Sequence, residues 1–259
     1  MEVILDLLAQ SGLSDRAAVM LALLLVFALL ILFFAVRVRR GWRPDFRSIP
    51  GFEALHGLAS QAAETGQALH ISLGLGGIGG DTTGETLAGL TVLEYLSTQP
   101  AFCEAPPIVT VADPSLLPAA QDVLRHAYLR RGELGRCDLT RVRFIAPQPV
   151  AYAGGVMGLL SREELTANIM VGSFGDEYLL MGEAGATKGV SQIVGAASSQ
   201  TLPFVFASAD HMLMGEEMFA AGAYLSLHPA HIGSLIAQDW LRFLLAGAVL
   251  IGVLWQSIF

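Results

Sequence analysis

Five of the seven residues from Gly74 to Gly80 are glycine (Gly74, Gly76, Gly77, Gly79 and Gly80), directly behind the apolar run LHISL. A backbone so bare of Cβ atoms can turn tightly and let a ligand reach its amides. Gly74, Gly76 and Gly79 satisfy the GxGxxG spacing of a dinucleotide-binding turn, in which the amides of a helix start face a pyrophosphate. The neighbouring residues argue against phosphate. Thr82 to Glu85 reads TTGE, a capping box that starts the helix after Gly79 and leaves Asp81 at the helix mouth. A helix start carries about half a positive charge, which one ionised Asp more than cancels, and the loop holds no Lys or Arg. Gly79 to Thr86 also has the glycine spacing of a P-loop, but Glu85 stands where the phosphate-binding Lys must be. The acid expected to hold a ribose is displaced to Asp113, whose place before Pro114 already explains it as a helix cap.

A second polar cluster is SFGDE, which puts Ser173, Asp176 and Glu177 at the end of a predicted strand. Asp176 and Glu177 there complement a helix dipole, and a divalent cation would need Asp81 and Asp176 to converge. The candidate ligand-binding set is therefore Gly74, Gly76, Gly77, Gly79, Gly80, Asp81, Thr82, Asp113, Ser173 and Asp176. Glu216 and Glu217, in an apolar stretch, need partners and are candidate interface residues, paired with Arg of a neighbouring subunit or of the same one. His228 and His231 are three apart, but Pro229 between them reads as a turn. There is no GxSxG elbow and no Ser/Lys pair at helical spacing, and Tyr152 and Tyr178 each lack a Lys four residues on. His70 and Ser72 share one face of the first strand, where polar groups are satisfied locally. The two cysteines, Cys103 and Cys137, lack ligand spacing and read as structural thiols of a reducing compartment. No catalytic set, metal-ligand set or cofactor is assigned.

These residues must be positioned by regular elements. Apolar runs of strand length occur at LHISLGLG, PIVTVA, VRFIAP, NIMVGSF, SQIVGAA and LPFVFASA, most of them apolar on both faces. Between them lie the helical stretches TTGETLAGLTVLEYLSTQ, DPSLLPAAQDVLRHAYLRRG, AYAGGVMGLLSREEL and DEYLLMGEAGA. This alternation predicts an α/β fold, a Rossmann-like, mostly parallel sheet with helices on both faces. In such sheets ligands bind outside the strand carboxyl ends, where the glycine loop lies. HMLMGEEMFAAGAYLSLHPAHIGSLIAQDWLR reads as two helices broken near His228, the second running on toward the C-terminal apolar run.

The composition points to a bilayer. Only 15% of the 259 residues are charged and the mean hydropathy is +0.56. Ala17 to Val36 is an uncharged run about as long as a bilayer core is thick. Arg37, Arg39, Arg40, Arg43 and Arg47 follow it, which keeps what comes after it in the cytoplasm. Phe243 to Phe259 is again uncharged, with Arg242 before it. The predicted organisation is a short extracytoplasmic segment at 1–16, a transmembrane helix at 17–36, a basic linker at 37–48, a cytoplasmic domain at 49–240 and a second transmembrane helix at 243–259. That is a multi-pass protein of the inner membrane. A net charge of −8 argues against nucleic acid as a partner, and the clustered arginines suit anionic lipid headgroups or topology.

HxSLGxGGxGG, AYAGGV, VGSFGDE, GEEMFAAGAYL and QDWLR together resemble a family of prokaryotic integral membrane proteins whose central domain has no assigned function. The resemblance implies a membrane protein with a cytoplasmic α/β domain and supplies no reaction. Two functions are expected. One is a non-catalytic module that self-associates as a homo-oligomer or senses a small ligand. The other is a membrane-held enzyme using a nucleotide at the Gly74–Gly80 loop.

Overall fold

In the computed structural model, which describes residues 15–258, the chain divides into two compact units. One is built from the chain up to Asp45 and from Leu227 onward, the other from Phe46–Ser226. The first 14 residues of the segment expected outside the membrane lie outside the described residues, as does Phe259.

In the unit Phe46–Ser226, six strands form one parallel sheet: β1 (Ala68–Gly74), β2 (Ile108–Val111), β3 (Val142–Phe144), β4 (Leu165–Ser173), β5 (Ser191–Ala196) and β6 (His211–Met214). Their order across the sheet is β3-β2-β1-β4-β5-β6, so the chain builds outward one way from β1 and then returns to build the other way from β4. Two short helices, α2 (Pro50–Leu55) and α3 (Leu58–Thr65), precede β1; the crossovers are α4 (Thr83–Thr98), α5 (Leu116–Arg130), α6 (Pro149–Arg162), α7 (Tyr178–Lys188) and α8 (Leu202–Ser208). Alternation along each strand sorts the two faces. Ile108, Met170 and Val194 pack with Tyr152, Val156 and Leu160 of α6 and with Tyr178 and Met181 of α7. Leu73 and Val171 face the other way, toward α4.

On that second face α4 comes so close to β4 that a Cβ added at Gly89 would collide with the Val171 carbonyl oxygen and lie 3.1 Å from Leu73 Cδ2. Gly89→Ala is expected to destabilise the unit by about 1–3 kcal/mol, the usual cost of overpacking. This outweighs the roughly 1 kcal/mol that Ala would otherwise gain in a helix interior. A lowered denaturation midpoint of the full chain in detergent checks it.

Two segments differ from the sequence prediction. LPFVFASA is helix α8 rather than a strand, and HMLM, expected in a helix, is strand β6. Pro203 sits in the first turn of α8, where its missing N–H costs nothing, and Thr201 Oγ1 donates to the Phe174 carbonyl at 2.7 Å to fix the start. Phe206 is 73% exposed, so the run is not apolar on two buried faces. Asp210 then pins β6 beside β5: its carboxylate accepts from Gln192 N at 2.8 Å and its own N–H donates to the Gln192 carbonyl at 3.0 Å. After β6 come two single-turn helices, α9 (Glu216–Phe219) and α10 (Ala221–Tyr224). Tyr224 closes the unit by stacking on Phe52 and donating to the Arg47 carbonyl at 2.9 Å.

The other unit holds α1 (Asp15–Arg39) and α11 (Pro229–Ile258), both long and apolar enough to cross a membrane. α11 is continuous through Gln238, Asp239, Trp240 and Arg242, as predicted. The helices touch through small residues, since a Cβ on Gly233 would lie 2.7 Å from Ala35 N. Beside that contact Phe34 stacks on Trp240 with ring centroids 6.3 Å apart.

Candidate functional site

The candidate site begins where β1 and β4 end side by side. Gly74 has φ +75°, and a Cβ there would strike the Ser173 carbonyl oxygen, which instead accepts a hydrogen bond from Leu75 N at 2.8 Å. Gly172 lies equally close to the Leu73 carbonyl. Both strand ends are thus held to glycine by backbone contact, and they sit where the chain order reverses, the place at which doubly wound sheets carry their ligand crevice.

From this point the glycine loop runs to α4, which starts after Thr82 as expected, though not by the expected capping box. The Thr82 side chain caps nothing. It is the Thr83 hydroxyl that accepts from Gly79 N at 2.9 Å and Gly80 N at 3.1 Å and donates to the Gly80 carbonyl at 2.6 Å. Ser115 Oγ takes a third loop amide, Ile78 N, at 3.2 Å. These three amides are spent on hydroxyls and do not face a ligand.

The structure brings most of the predicted site residues together. Asp113 leans on the loop: its Oδ2 is 2.6 Å from where a Cβ on Gly77 would be. Its other oxygen accepts from Ser115 N at 2.7 Å, so it acts three residues ahead of the first residue of α5, while Ser115 flanks the first turn. Around Gly76 stand Thr82 Oγ1 and Ser173 Cβ, each 3.2 Å from the Cβ position. Asp81 and Asp176 are exposed. In the Asp176-Glu177 pair it is Glu177 that is buried, its carboxylate accepting from Gly175 N at 2.7 Å. Among the described residues no group of three or more His, Cys, Asp or Glu side chains is placed to hold a metal. Glu217 lies apart from the crevice, paired at 2.5 Å with Arg47 of the same chain, and Glu216 is exposed.

Thr86, one turn into α4, went unassigned. It is fully buried, and its hydroxyl has no hydrogen-bond partner among the described residues. It points at the bare backbone of Gly76, close enough that a Cβ there would collide with it. Such an orphan costs about 1–3 kcal/mol. Among the described residues Tyr128 has the other partnerless buried hydroxyl, but it lies near the end of α5, by Cys103 ahead of β2, at the opposite end of the sheet. Burial pushes the thiols of Cys103 and Cys137 and the Tyr128 hydroxyl up, so all three stay protonated.

Beneath the crevice a hydrogen-bond chain crosses the sheet. His70, Ser72, Thr110, Asn168 and Gln192 are buried in strands β1, β2, β4 and β5, with His70 beside Asn168 and Asn168 beside Gln192 in register. Both hydrogens of the Gln192 amide go to carbonyls, of Ser208 at 2.8 Å and Gly182 at 2.9 Å. Its Oε1 must then accept, and does so from Asn168 Nδ2 at 3.0 Å. Asn168 Oδ1 in turn accepts from His70 Nδ1 at 2.7 Å, which makes Nε2 the acceptor for Thr110 Oγ1 at 3.0 Å. The Tyr152 hydroxyl meets Thr110 Oγ1 at 3.0 Å and Ser72 Oγ at 2.7 Å, and Ser72 Oγ accepts from Gly74 N at 3.4 Å. Having donated to His70, Thr110 Oγ1 can only accept from Tyr152, whose single hydrogen also has the Thr110 carbonyl within reach at 3.2 Å; from Thr110 on to Gln192 the donors run one way, toward α8.

Burial holds His70 neutral by lowering its pKa to about 4; the Asn168 bond works against that fall and the Arg143 charge adds to it. Burial pushes Tyr152 up to about 12, against its bonds to Ser72 and Thr110, so it remains a phenol. Neither group is poised for proton transfer near neutral pH. The sequence shows the strand members as polar residues within apolar runs, but not the register that lines them up or the Tyr152 that joins them.

No match was found among curated proteins and none among solved structures. The family model described as Domain of unknown function (DUF6754) matches residues 10–259, and the chain belongs to that family.

Proposed function

We propose that the unit Phe46–Ser226 is a Rossmann-like, non-catalytic sensor of a small ligand, held at the cytoplasmic face of a membrane by α1 and α11. The observation that carries this reading is the partnerless Thr86 hydroxyl at Gly76, under the crevice between β1 and β4. A ligand that supplies its missing partner recovers about 1–3 kcal/mol. Because that hydroxyl is closed off from solvent, the ligand must also displace the loop that Thr83 and Ser115 tie down. Binding coupled to loop movement is what a sensor needs. Asp113 and Glu177 beside the crevice, with no Lys or Arg in the loop, favour a neutral or cationic polar ligand over a polyphosphate. The arginines after α1 support the cytoplasmic placement.

A nucleotide-dependent enzyme is the second reading. The strand order 3-2-1-4-5-6 is that of dinucleotide-binding domains, and Asp113, just beyond β2 and against Gly77, stands where such a domain holds a ribose. A nucleoside without phosphates would satisfy both readings of the crevice; the amides spent on Thr83 and Ser115 count against the phosphates.

Thermal shifts of the full chain in mild detergent, with nucleosides, dinucleotides, polyols and amines as probes, test the proposal. Thr86→Val keeps the branched shape and removes the orphan, so it is expected to stabilise the unliganded protein by about 1 kcal/mol and to abolish the shift from the active probe. A Thr86→Val protein that is less stable and responds as the parent does would overturn the assignment. Scattering mass in detergent tests the homo-oligomer separately.

A further inference from the structure

One face of α1 changes chemistry along its length. Leu29, Leu32, Phe33, Val36, Arg37 and Arg40 line a single groove, at the three- and four-residue spacings that share a helix face. The four apolar side chains are 44–66% exposed. The inner contact with α11 is made instead by Phe34 and Ala35, which are buried. The groove therefore faces away from the helix pair. From Leu29 to Arg39, where α1 ends, the helix rises about 15 Å at 1.5 Å per residue, the roughly 15 Å of one bilayer leaflet, and Arg40 follows directly.

The charged end of the groove is built for an anion. Arg37 and Arg40 are exposed, and among the described residues no carboxylate pairs with either. The Arg37 guanidinium is held 4.8 Å above the Trp42 ring, a cation–π contact that fixes its position without neutralising it. Trp42 itself belongs at headgroup level. Two guanidiniums one turn apart can each fork onto the oxygens of one phosphate. An exposed apolar strip one leaflet long, ending in two unpaired arginines, matches a single molecule with an acyl tail and an anionic head.

We propose that this face of α1 binds one anionic glycerophospholipid, with an acyl chain along Leu29, Leu32, Phe33 and Val36 and the phosphate between Arg37 and Arg40. The proposal rests on α1 crossing a bilayer, which is tested on its own by carbonate-resistant flotation of the chain with phosphatidylcholine vesicles. It does not depend on the crevice ligand.

The experiment is native mass spectrometry of the delipidated full chain, titrated with phosphatidylglycerol or phosphatidylcholine. The expected result is one retained phosphatidylglycerol per chain, bound about tenfold more tightly than phosphatidylcholine. Arg37→Gln/Arg40→Gln should lose that preference. Arg39→Gln/Arg43→Gln removes the same charge from positions outside the groove and should keep it, with helix content by circular dichroism unchanged in both. Equal losses in the two double variants would reduce the effect to a general basic collar and overturn the site. Equal retention of the two lipids, or retention of neither by a chain that floats with vesicles, would overturn it as well.

Discussion

Asn168→Leu is expected to lower the unfolding free energy by about 2–6 kcal/mol, because it leaves two buried polar groups without partners at about 1–3 kcal/mol each. Those groups are His70 Nδ1–H and Gln192 Oε1, which Asn168 now joins at 2.7 and 3.0 Å. The shape of the side chain is nearly conserved, so packing changes little and the loss reports the hydrogen bonds. The effect should also travel. With no acceptor at Nδ1, His70 has no reason to keep its proton there, and the Thr110 and Tyr152 hydroxyls lose their fixed direction. The denaturation midpoint of the full chain in detergent measures the first consequence and the imidazole nitrogen shifts measure the second. A loss below about 1 kcal/mol, with the tautomer unchanged, would mean that the chain is a row of independent pairs.

The contrast with the surface is instructive. Glu217 and Arg47 form a pair at 2.5 Å, yet the arginine side chain is 77% exposed. An exposed pair spends much of its attraction on ordering two long side chains and on salt screening. The sequence offered Glu216 and Glu217 as the costly acids of this chain, because they sit among Met, Phe and Ala. In the fold α9 is a single turn at the surface, and the costly polar groups are the uncharged ones inside the sheet.

That reversal marks how far a sequence can be read. Strands β1 to β5 and helices α4 to α7 were legible because their apolar runs and caps are local signals. LPFVFASA and HMLM were exchanged because a short apolar run fits a buried strand and a helix equally well. Pro203 was the available clue against a strand. The start of α4 was placed correctly through Thr82, but the capping falls to its neighbour Thr83, a choice between adjacent threonines that only the path of Gly79 and Gly80 decides. The site was legible as a place, since Gly74, Gly76, Gly77, Asp113 and Ser173 do meet. Its distinguishing atom was not. Thr86 matters because α4 brings it against Gly76, ten residues earlier, and the polar strand residues matter because register aligns them. Both are tertiary facts that no local pattern encodes.

The His70 imidazole makes the stability of the fold depend on pH in a defined window. In the folded chain its pKa lies near 4, against an ordinary value of 6.5, because the ring is buried, with the Arg143 charge adding to the fall. Above pH 6.5 neither the folded nor the unfolded chain binds the proton, and stability is at its full value. Between 6.5 and about 4 the unfolded chain takes up a proton that the folded chain refuses, so stability falls as pH falls. At about 1.4 kcal/mol per pH unit the loss reaches about 3 kcal/mol and then levels off once the folded state also protonates. Other groups titrate in the same range, so the measurement is a difference between proteins. His70→Gln can still donate to Asn168 or accept from Thr110 and carries no titrating group. The parent is therefore expected to lose about 3 kcal/mol more than His70→Gln between pH 7 and pH 4, read from denaturation midpoints in detergent. Parallel curves would show that His70 protonates as easily folded as unfolded. The one-way donor chain from Thr110 to Gln192 would then be wrong at its centre, since an imidazolium cannot accept from Thr110.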